Sequence, residues 1–156
     1  MDPVLAQVSL LALMVRSLGL NPVKSDSSFT DVKSDAWYAA AVSTASAAGI
    51  INGYENNMFR PDVQITREEL ASMVVRAMNF AGASIKVAPE EQSRLLSQFK
   101  DSSKIFWAQK EIAAAINTKL INGLDDDMLS SDGKATRAQT ATILKRFLNA
   151  IKFINE

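Results

Sequence analysis

The stretch Ile-Thr-Arg-Glu-Glu-Leu at residues 65–70 returns as Ala-Thr-Arg-Ala-Gln-Thr at residues 135–140, and these two stretches decide the fold. In the first, Thr66 is followed three residues later by Glu69, the spacing of a helix capping box. The threonine hydroxyl accepts from the N–H of Glu69, and the Glu69 carboxylate accepts from the N–H of Thr66. Each stretch therefore predicts the start of a helix.

Each box also places an arginine in the first turn, Arg67 in one copy and Arg137 in the other. The first N–H groups of a helix have no partner inside it, and the helix dipole adds partial positive charge there. A guanidinium beside that end makes a candidate anion site. On the motif alone, a purely capping role is favoured for both boxes, that of Thr66 and Glu69 and that of Thr136 and Gln139. Their recurrence within a repeat favours a binding role for the arginines.

The chain carries an internal duplication with a period of 70 residues. The pairs that match without a gap include Phe29 and Phe99, Asp31 and Asp101, Trp37 and Trp107, Asn52 and Asn122, Gly53 and Gly123, Thr66 and Thr136, and Arg67 and Arg137. A shift of 60 residues adds a partial third copy, in which residues 10–18 align with residues 70–78. This copy has Ala6 and Gln7 in place of the threonine and arginine, so it lacks the candidate site.

The duplication predicts a single domain over residues 1–156. Residues 1–20 form the closing helix of a partial repeat, residues 29–80 a full repeat, residues 82–98 a connector and residues 99–149 a second full repeat. Apolar residues recur at helical spacing in the boxed segments, and one unit alone cannot bury such a stripe. We therefore predict an all-α fold in which the units pack together.

Within the first full repeat, the pattern predicts a short helix over residues 36–48, capped by Asp35 and ended by Gly49. Trp37 and Trp107 stand at the start of this helix in the two copies. Both are followed by apolar residues, which favours a core position over stacking on a sugar ring.

Two further features recur in the repeats. Asp31 and Asp101 are expected to bond nearby backbone groups. The pair Asn52 and Gly53 predicts a tight turn in which the glycine takes a positive φ.

Composition excludes several classes of function. Lys plus Arg and Asp plus Glu each number 17, so no net field favours nucleic acid as a partner. With no histidine and no cysteine, the chain lacks the usual general base, thiolate metal ligands and Ser-His or Cys-His nucleophile pairs. Three aspartates at residues 125–127 lack the alternating spacing of a calcium loop, so we expect no metal site and no cofactor. No run is apolar enough for membrane insertion.

The repeats resemble the S-layer homology module, through Phe-x-Asp, a following tryptophan, Gly-Ile-x-Asn-Gly-Tyr, a Phe-x-Pro loop and Ile-Thr-Arg-Glu-Glu. The resemblance covers residues 29–79 fully and residues 99–149 with more divergence. In the second copy a serine pair at 130–131 replaces Arg60 and Pro61, and a glutamine replaces the usual acid of the box. The resemblance implies three repeats packed as a pseudo-threefold prism, with helix-loop-helix units around a central helical bundle.

The resemblance also implies a function. Grooves between the repeats of this family bind secondary cell-wall polysaccharide, often carrying a pyruvate ketal, and so anchor an extracellular protein non-covalently to a bacterial cell wall. The residues implied in polysaccharide binding are Arg67, Arg137, Thr66, Thr136, Asn52, Gly53, Tyr54, Asn122 and Gly123. The residues assigned to capping or structure are Glu69, Gln139, Trp37, Trp107, Asp31 and Asp101. A guanidinium suits this ligand because it grips a carboxylate bidentately.

Two other classes of function stay open. A glycan-cleaving enzyme would need two facing acids, and none stands out, because Glu69 is accounted for as a cap. A protein–protein scaffold of an S-layer would instead use the repeats to bind other subunits. The incomplete first repeat, residues 1–20, presents an apolar stripe that the C-terminal segment 150–156 or a homotypic partner would cover.

Overall fold

The computed structural model describes residues 3–22, 29–105, 107–122 and 127–154, and over these ranges it contains six α-helices and no β-strand. The helices are α1 (Pro3–Ser17), α2 (Ala39–Ala47), α3 (Arg67–Phe80), α4 (Pro89–Ser97), α5 (Gln109–Asn117) and α6 (Arg137–Ile154). Short 3-10 turns lie at Glu55–Asn57 and Ser102–Lys104. The prediction of an all-α fold is confirmed.

The chain forms two compact units, Met1–Gln64 and Ile65–Glu156. In the first unit α1 packs on α2, and in the second α3 packs on α5. Both pairs join the closing helix of one repeat to the opening helix of the next. The compact unit is therefore offset from the sequence repeat. The single domain over residues 1–156 and the threefold prism stay predictions.

The core of the first unit comes from one face of α1 and from α2. Leu11, Met14 and Val15 on α1 are fully buried. Leu13 is 48% exposed, because it lies on the opposite face of the helix from Leu11 and Val15. On α2, Val42 and Ala45 are fully buried.

The opening helix of the first full repeat starts later than predicted. α2 begins at Ala39, and its N-cap is Tyr38, which makes no side-chain capping bond. The prediction that Asp35 caps this helix is therefore wrong. The chain before it forms turns, in which the N–H of Ala36 donates to the carbonyl oxygen of Lys33 at 3.0 Å. The C-terminal end is as predicted, with Gly49 at φ +74°.

The predicted core position of the two tryptophans is wrong. Trp37 is 60% exposed and Trp107 is 55% exposed. Both precede the first residue of their helix, so the helical periodicity that buries the later apolar residues does not reach them. The Trp37 ring instead lies edge-on to the ring of Tyr38, with centroids 5.6 Å apart.

The two recurring aspartates tie the start of each repeat to its polar loop. The carboxylate of Asp31 accepts from the N–H groups of residues 59 and 60, both at 2.7 Å. The carboxylate of Asp101 accepts from the N–H groups of residues 129 and 130, at 2.9 and 2.7 Å. The expected bonding of these aspartates to backbone is present, although it spans 28 and 29 residues.

In the second unit, α3 packs on two other helices. Leu70, Val74 and Ala77 on α3 are almost wholly buried, and the helix packs on both α5 and α6. The connector forms α4, which packs on α5. This packing fixes the first turn of α3, which carries Arg67.

Candidate functional site

Both capping boxes predicted from the sequence are present. At α3, the N–H of Glu69 donates to Oγ1 of Thr66 at 3.1 Å, and the N–H of Thr66 donates to Oε2 of Glu69 at 2.8 Å. At α6, the N–H of Gln139 donates to Oγ1 of Thr136 at 3.1 Å, and the N–H of Thr136 donates to Oε1 of Gln139 at 3.0 Å. Each box fixes a helix start and places the following arginine in the first turn.

The first turn of α3 has no free backbone donor. Beyond the two boxed groups, the N–H of Arg67 donates to the carbonyl oxygen of Gly133, and the N–H of Glu68 donates to that of Ser131, both at 2.9 Å. The expectation that these N–H groups would share the charge of an anion is therefore wrong at α3. The loop of the second repeat already occupies them, so side chains would have to hold an anion here.

The guanidinium of Arg67 is half-buried, and its Nη1 atom is buried without a hydrogen-bond partner among the described residues. Burial lowers the pKa of Arg67, and the negative charge of Asp101 acts in the opposite direction. Arginine stays charged under such conditions. A positive donor that has lost water without gaining a partner is costly, and this cost falls when an anion binds.

Asp101 is the acid that acts on Arg67, yet it does not neutralise it. Within the described ranges, Arg67 has no ion pair at 4.0 Å or less. Burial by itself would raise the pKa of Asp101, but the N–H groups of Leu129 and Ser130, with the charge of Lys104, bring it below its ordinary value. Asp101 is therefore ionised and committed to the loop, and it gives Arg67 only a background field.

Glu68 follows Arg67 and is only 6% exposed. Its Oε1 atom has no partner in the part of the chain that the structure describes. Burial raises the pKa of Glu68, the N–H groups of Ala108 and Trp107 oppose that shift, and the charges of Glu69 and Asp132 add to it. An unpartnered carboxyl oxygen at this depth is rare in folded proteins.

Ser131 lies against Glu68 and shares this property. Its carbonyl oxygen accepts the N–H of Glu68, its side chain is 2% exposed, and its Oγ atom lacks a partner among the described residues. The three unpartnered buried side-chain atoms of the described ranges are thus Arg67 Nη1, Glu68 Oε1 and Ser131 Oγ. All three belong to the junction between the start of α3 and the loop of the second repeat.

Arg137 occupies the matching place on α6 in a different environment. Arg137 and Thr136 are exposed, and no ion pair of Arg137 occurs within the described residues. Among the described residues, no segment covers this helix start as residues 131–133 cover that of α3. The same box thus yields a half-buried cation in one copy and a solvated one in the other.

The remaining predicted residues of the first repeat lie in the first unit. Asn52 and Gly53 are exposed and Tyr54 is half-buried, with the guanidinium carbon of Arg60 lying 4.6 Å from its ring centroid. Gly53 takes φ +74°, as the turn predicted. Packing within the first unit requires glycine at this position, because a Cβ would lie 2.2 Å from Cε1 of Phe29.

In the second repeat, Asn122 is exposed and adjoins Arg146. With its amide oriented to satisfy both groups, its oxygen accepts from Nη2 of Arg146 at 3.3 Å. Nη1 of Arg146 donates to the carbonyl oxygen of Leu120 at 3.1 Å. Gly123, also predicted in the site, lies outside the described residues.

Sequence reasoning missed Glu68 and Ser131. The available signal was their departure from the duplicated partner: Ala138 stands at the position of Glu68 in the second box, and Pro61 at the position of Ser131 in the first loop. A period of 70 residues does not reveal that these two departures meet in space.

The described residues contain neither a helix that could span a membrane nor a cluster of side chains suited to a metal ion. No helix there combines the length and apolar character needed to cross a bilayer. The same ranges hold no group of three or more His, Cys, Asp or Glu side chains suited to a metal ion. Of the aspartate run, residues 125 and 126 lie outside the described residues, and Asp127 pairs with Lys100.

The sequence profile of the S-layer homology domain matches residues 28–71 and residues 98–141. The chain is 34% identical over 134 residues to Exoglucanase XynX of Acetivibrio thermocellus. The aligned residues make up 85% of this chain and 12% of that protein.

Two further relatives are an enzyme by name and a surface-layer protein by name. Amylopullulanase of Thermoanaerobacterium thermosulfurigenes is 34% identical over 134 residues, 85% of this chain and 7% of that protein. The surface-layer 125 kDa protein of Lysinibacillus sphaericus is 29% identical over 132 residues, 82% of this chain and 10% of that protein. The chain thus spans a small fraction of the curated relatives it matches, and that fraction is shared by proteins with different names.

Proposed function

The chain belongs to the S-layer homology domain family, and from this premise we propose that it anchors a protein non-covalently to the bacterial cell wall by binding an acidic, pyruvylated wall polysaccharide at Arg67, with Arg137 as a second contact. Its place is then extracellular, at the wall or S-layer. The exoglucanase, the amylopullulanase and the surface-layer protein share this segment and differ in name, so a common task of attachment explains its presence in all three.

One observation carries the proposal, the half-buried guanidinium of Arg67 with an unpartnered Nη1. A pyruvate ketal adds one carboxylate to a neutral sugar, and that carboxylate can accept two parallel N–H bonds from a guanidinium. The buried position makes each bond stronger than on an open surface, because less water competes there.

The surroundings of Arg67 suit a sugar as well as its acid. Trp107, whose backbone N–H lowers the pKa of Glu68 and so lies close to its carboxyl group, is 55% exposed. An exposed indole offers a flat apolar face with a polar N–H at its edge. The correction of its core position therefore favours the alternative weighed from the sequence, stacking on a sugar ring.

A glycan-cleaving function finds less support. Two carboxyl groups flanking a bond are needed for that chemistry. Near Arg67, Asp101 has both oxygens committed to backbone N–H groups, and Glu69 is committed to the capping box. A scaffold that binds other S-layer subunits stays the other alternative, and a homotypic contact through the first repeat would be its simplest form.

The test is isothermal titration with purified pyruvylated wall polymer and with the same polymer after acid removal of pyruvate. Arg67→Ala should weaken binding about tenfold to a hundredfold, as expected for loss of a charge-assisted hydrogen bond. Depyruvylation should cause a similar loss in the parent protein and little further loss in the variant. Arg94→Ala is the matched control, because that guanidinium is paired with Glu91 on the exposed face of α4.

Each alternative gives a separate result. Unchanged affinity in Arg67→Ala would remove this residue from the site. Release of reducing ends from the polymer would indicate an enzyme. Binding to S-layer protein with none to the isolated polymer would indicate a scaffold.

A further inference from the structure

Glu68 and Ser131 each have a buried side-chain oxygen without a hydrogen-bond partner among the described residues. The proposed binding of a carboxylate by Arg67 does not supply a partner for either oxygen. The Glu68 side chain is 6% exposed and that of Ser131 is 2% exposed, yet Oε1 of the first and Oγ of the second have no partner among the described residues. A buried polar atom without a partner costs stability, so its retention calls for an occupant.

The three unpartnered atoms define complementary chemistry. Nη1 of Arg67 is a donor and needs an acceptor. Oε1 of Glu68, when the group is ionised, is an acceptor only and needs a donor, while the hydroxyl of Ser131 can act in either sense. A bare anion satisfies the arginine alone and leaves the carboxyl oxygen unpaired. A sugar that carries both an acidic substituent and a free hydroxyl can serve all three atoms.

Building on the proposed function, we propose that Glu68 and Ser131 form a second part of the Arg67 site, which receives a free hydroxyl of the sugar beside its acidic substituent. The guanidinium then recognises the acid, and the Glu68–Ser131 pair selects sugars with that hydroxyl unsubstituted. These two side chains determine specificity, while Arg67 supplies the charge.

The duplication supports a site-specific origin for this pair. The second box has Ala138 where the first has Glu68, and the first loop has Pro61 where the second has Ser131. Glu68 and Ser131 are therefore each present in one repeat and replaced by a residue without a side-chain oxygen in the other. The N–H of Glu68 donates to the carbonyl oxygen of Ser131 at 2.9 Å, so these two residues are in direct contact.

The experiment measures selectivity in place of overall affinity. The probes are a pyruvate-ketal hexoside, analogues in which each remaining hydroxyl is removed one at a time, and free pyruvate. The parent protein should bind one deoxy analogue roughly tenfold or more weakly than the intact hexoside. In Glu68→Ala that ratio should fall close to one, and the affinity for free pyruvate should not decrease.

Two conservative variants keep the result interpretable if Glu68→Ala unfolds. Glu68→Gln retains an amide oxygen and should keep much of the discrimination. Ser131→Ala removes only the hydroxyl and should lower the ratio while the circular dichroism spectrum stays unchanged. If all deoxy analogues keep the same ratios in these variants as in the parent, water satisfies the two oxygens and the inference is overturned.

The outcome also separates the inference from the proposed function. If Arg67→Ala abolishes binding while Glu68 and Ser131 variants leave selectivity unchanged, only the hydroxyl contact fails. If Arg67→Ala binds the hexoside as the parent does, the proposed function fails at this site, whatever the analogues show.

Discussion

Replacing Arg67 with methionine should make the protein more stable and less able to bind. Methionine keeps an unbranched apolar stem and removes the guanidinium, whose Nη1 is buried without a partner. Leaving such a donor unpaired costs roughly 1–3 kcal/mol. Because the side chain is only half-buried and Asp101 offsets part of the cost, we expect Arg67→Met to raise the free energy of unfolding by about 1 kcal/mol.

The wall polymer should reverse this order. A ligand that binds only the folded state stabilises it by RT ln(1 + [L]/Kd), which is about 2.7 kcal/mol at a hundredfold excess over Kd. The parent protein gains this stabilisation, and Arg67→Met gains little of it. The variant should therefore be the more stable protein without polymer and the less stable one at saturation.

The assay is thermal unfolding followed by circular dichroism, with and without polymer. For a chain of this length, about 1 kcal/mol shifts Tm by roughly 2–4 °C. In the arm without polymer, Arg137→Met is the control, because an exposed substitution changes stability by no more than about 0.5 kcal/mol. A loss of more than about 1 kcal/mol in Arg67→Met without polymer would show that the guanidinium serves the fold, and the reasoning would be refuted.

Two further predictions concern Glu68 and the turn glycines. Because the pKa of Glu68 is raised, its carboxyl group stays protonated to higher pH in the folded state than in the unfolded state. The free energy of unfolding should therefore fall as the pH rises from about 4.5 through the raised pKa. Urea unfolding across pH 4–8 should show this fall in the parent and lose it in Glu68→Gln; parallel profiles would contradict it. Gly49→Ala should cost about 1–2 kcal/mol from its positive φ alone. Gly53→Ala should cost about 1–3 kcal/mol more, because its Cβ would meet Phe29 at 2.2 Å and Met58 at 2.9 Å; equal losses in urea unfolding would exclude that clash.

The capping boxes and the C-terminal end of α2 were predictable from the sequence, because they depend on residues close together in the chain, whereas the predicted Asp35 cap and start of α2 were wrong. The box of Thr66 and Glu69 needs only a spacing of three, and both of its hydrogen bonds are present. The end of α2 at Gly49 follows from the same kind of local rule. Residues 82–98, predicted as a connector, contain α4 over Pro89–Ser97.

The errors concern one helix boundary and one set of contacts that come from a distant part of the chain. Trp37 was placed in the core by the apolar residues after it, but the helix starts at Ala39 and leaves the ring outside. The first N–H groups of α3 were expected to be free, because the sequence cannot show that the carbonyls of Ser131 and Gly133 reach them. The second error is a tertiary effect on a correctly identified helix start, whereas the first follows from a misplaced helix boundary.

Two matching boxes need not make two matching sites. A box fixes where an arginine starts, while burial and partners come from whatever segment covers the helix end. At α3 that segment is the loop of residues 131–133, which uses the backbone donors and leaves Arg67 half-buried beside Glu68. At α6 no described segment does this, and Arg137 is solvated. Since water weakens an exposed ion pair far more than a shielded one, binding energy should concentrate at Arg67, with Arg137 adding avidity along the polymer.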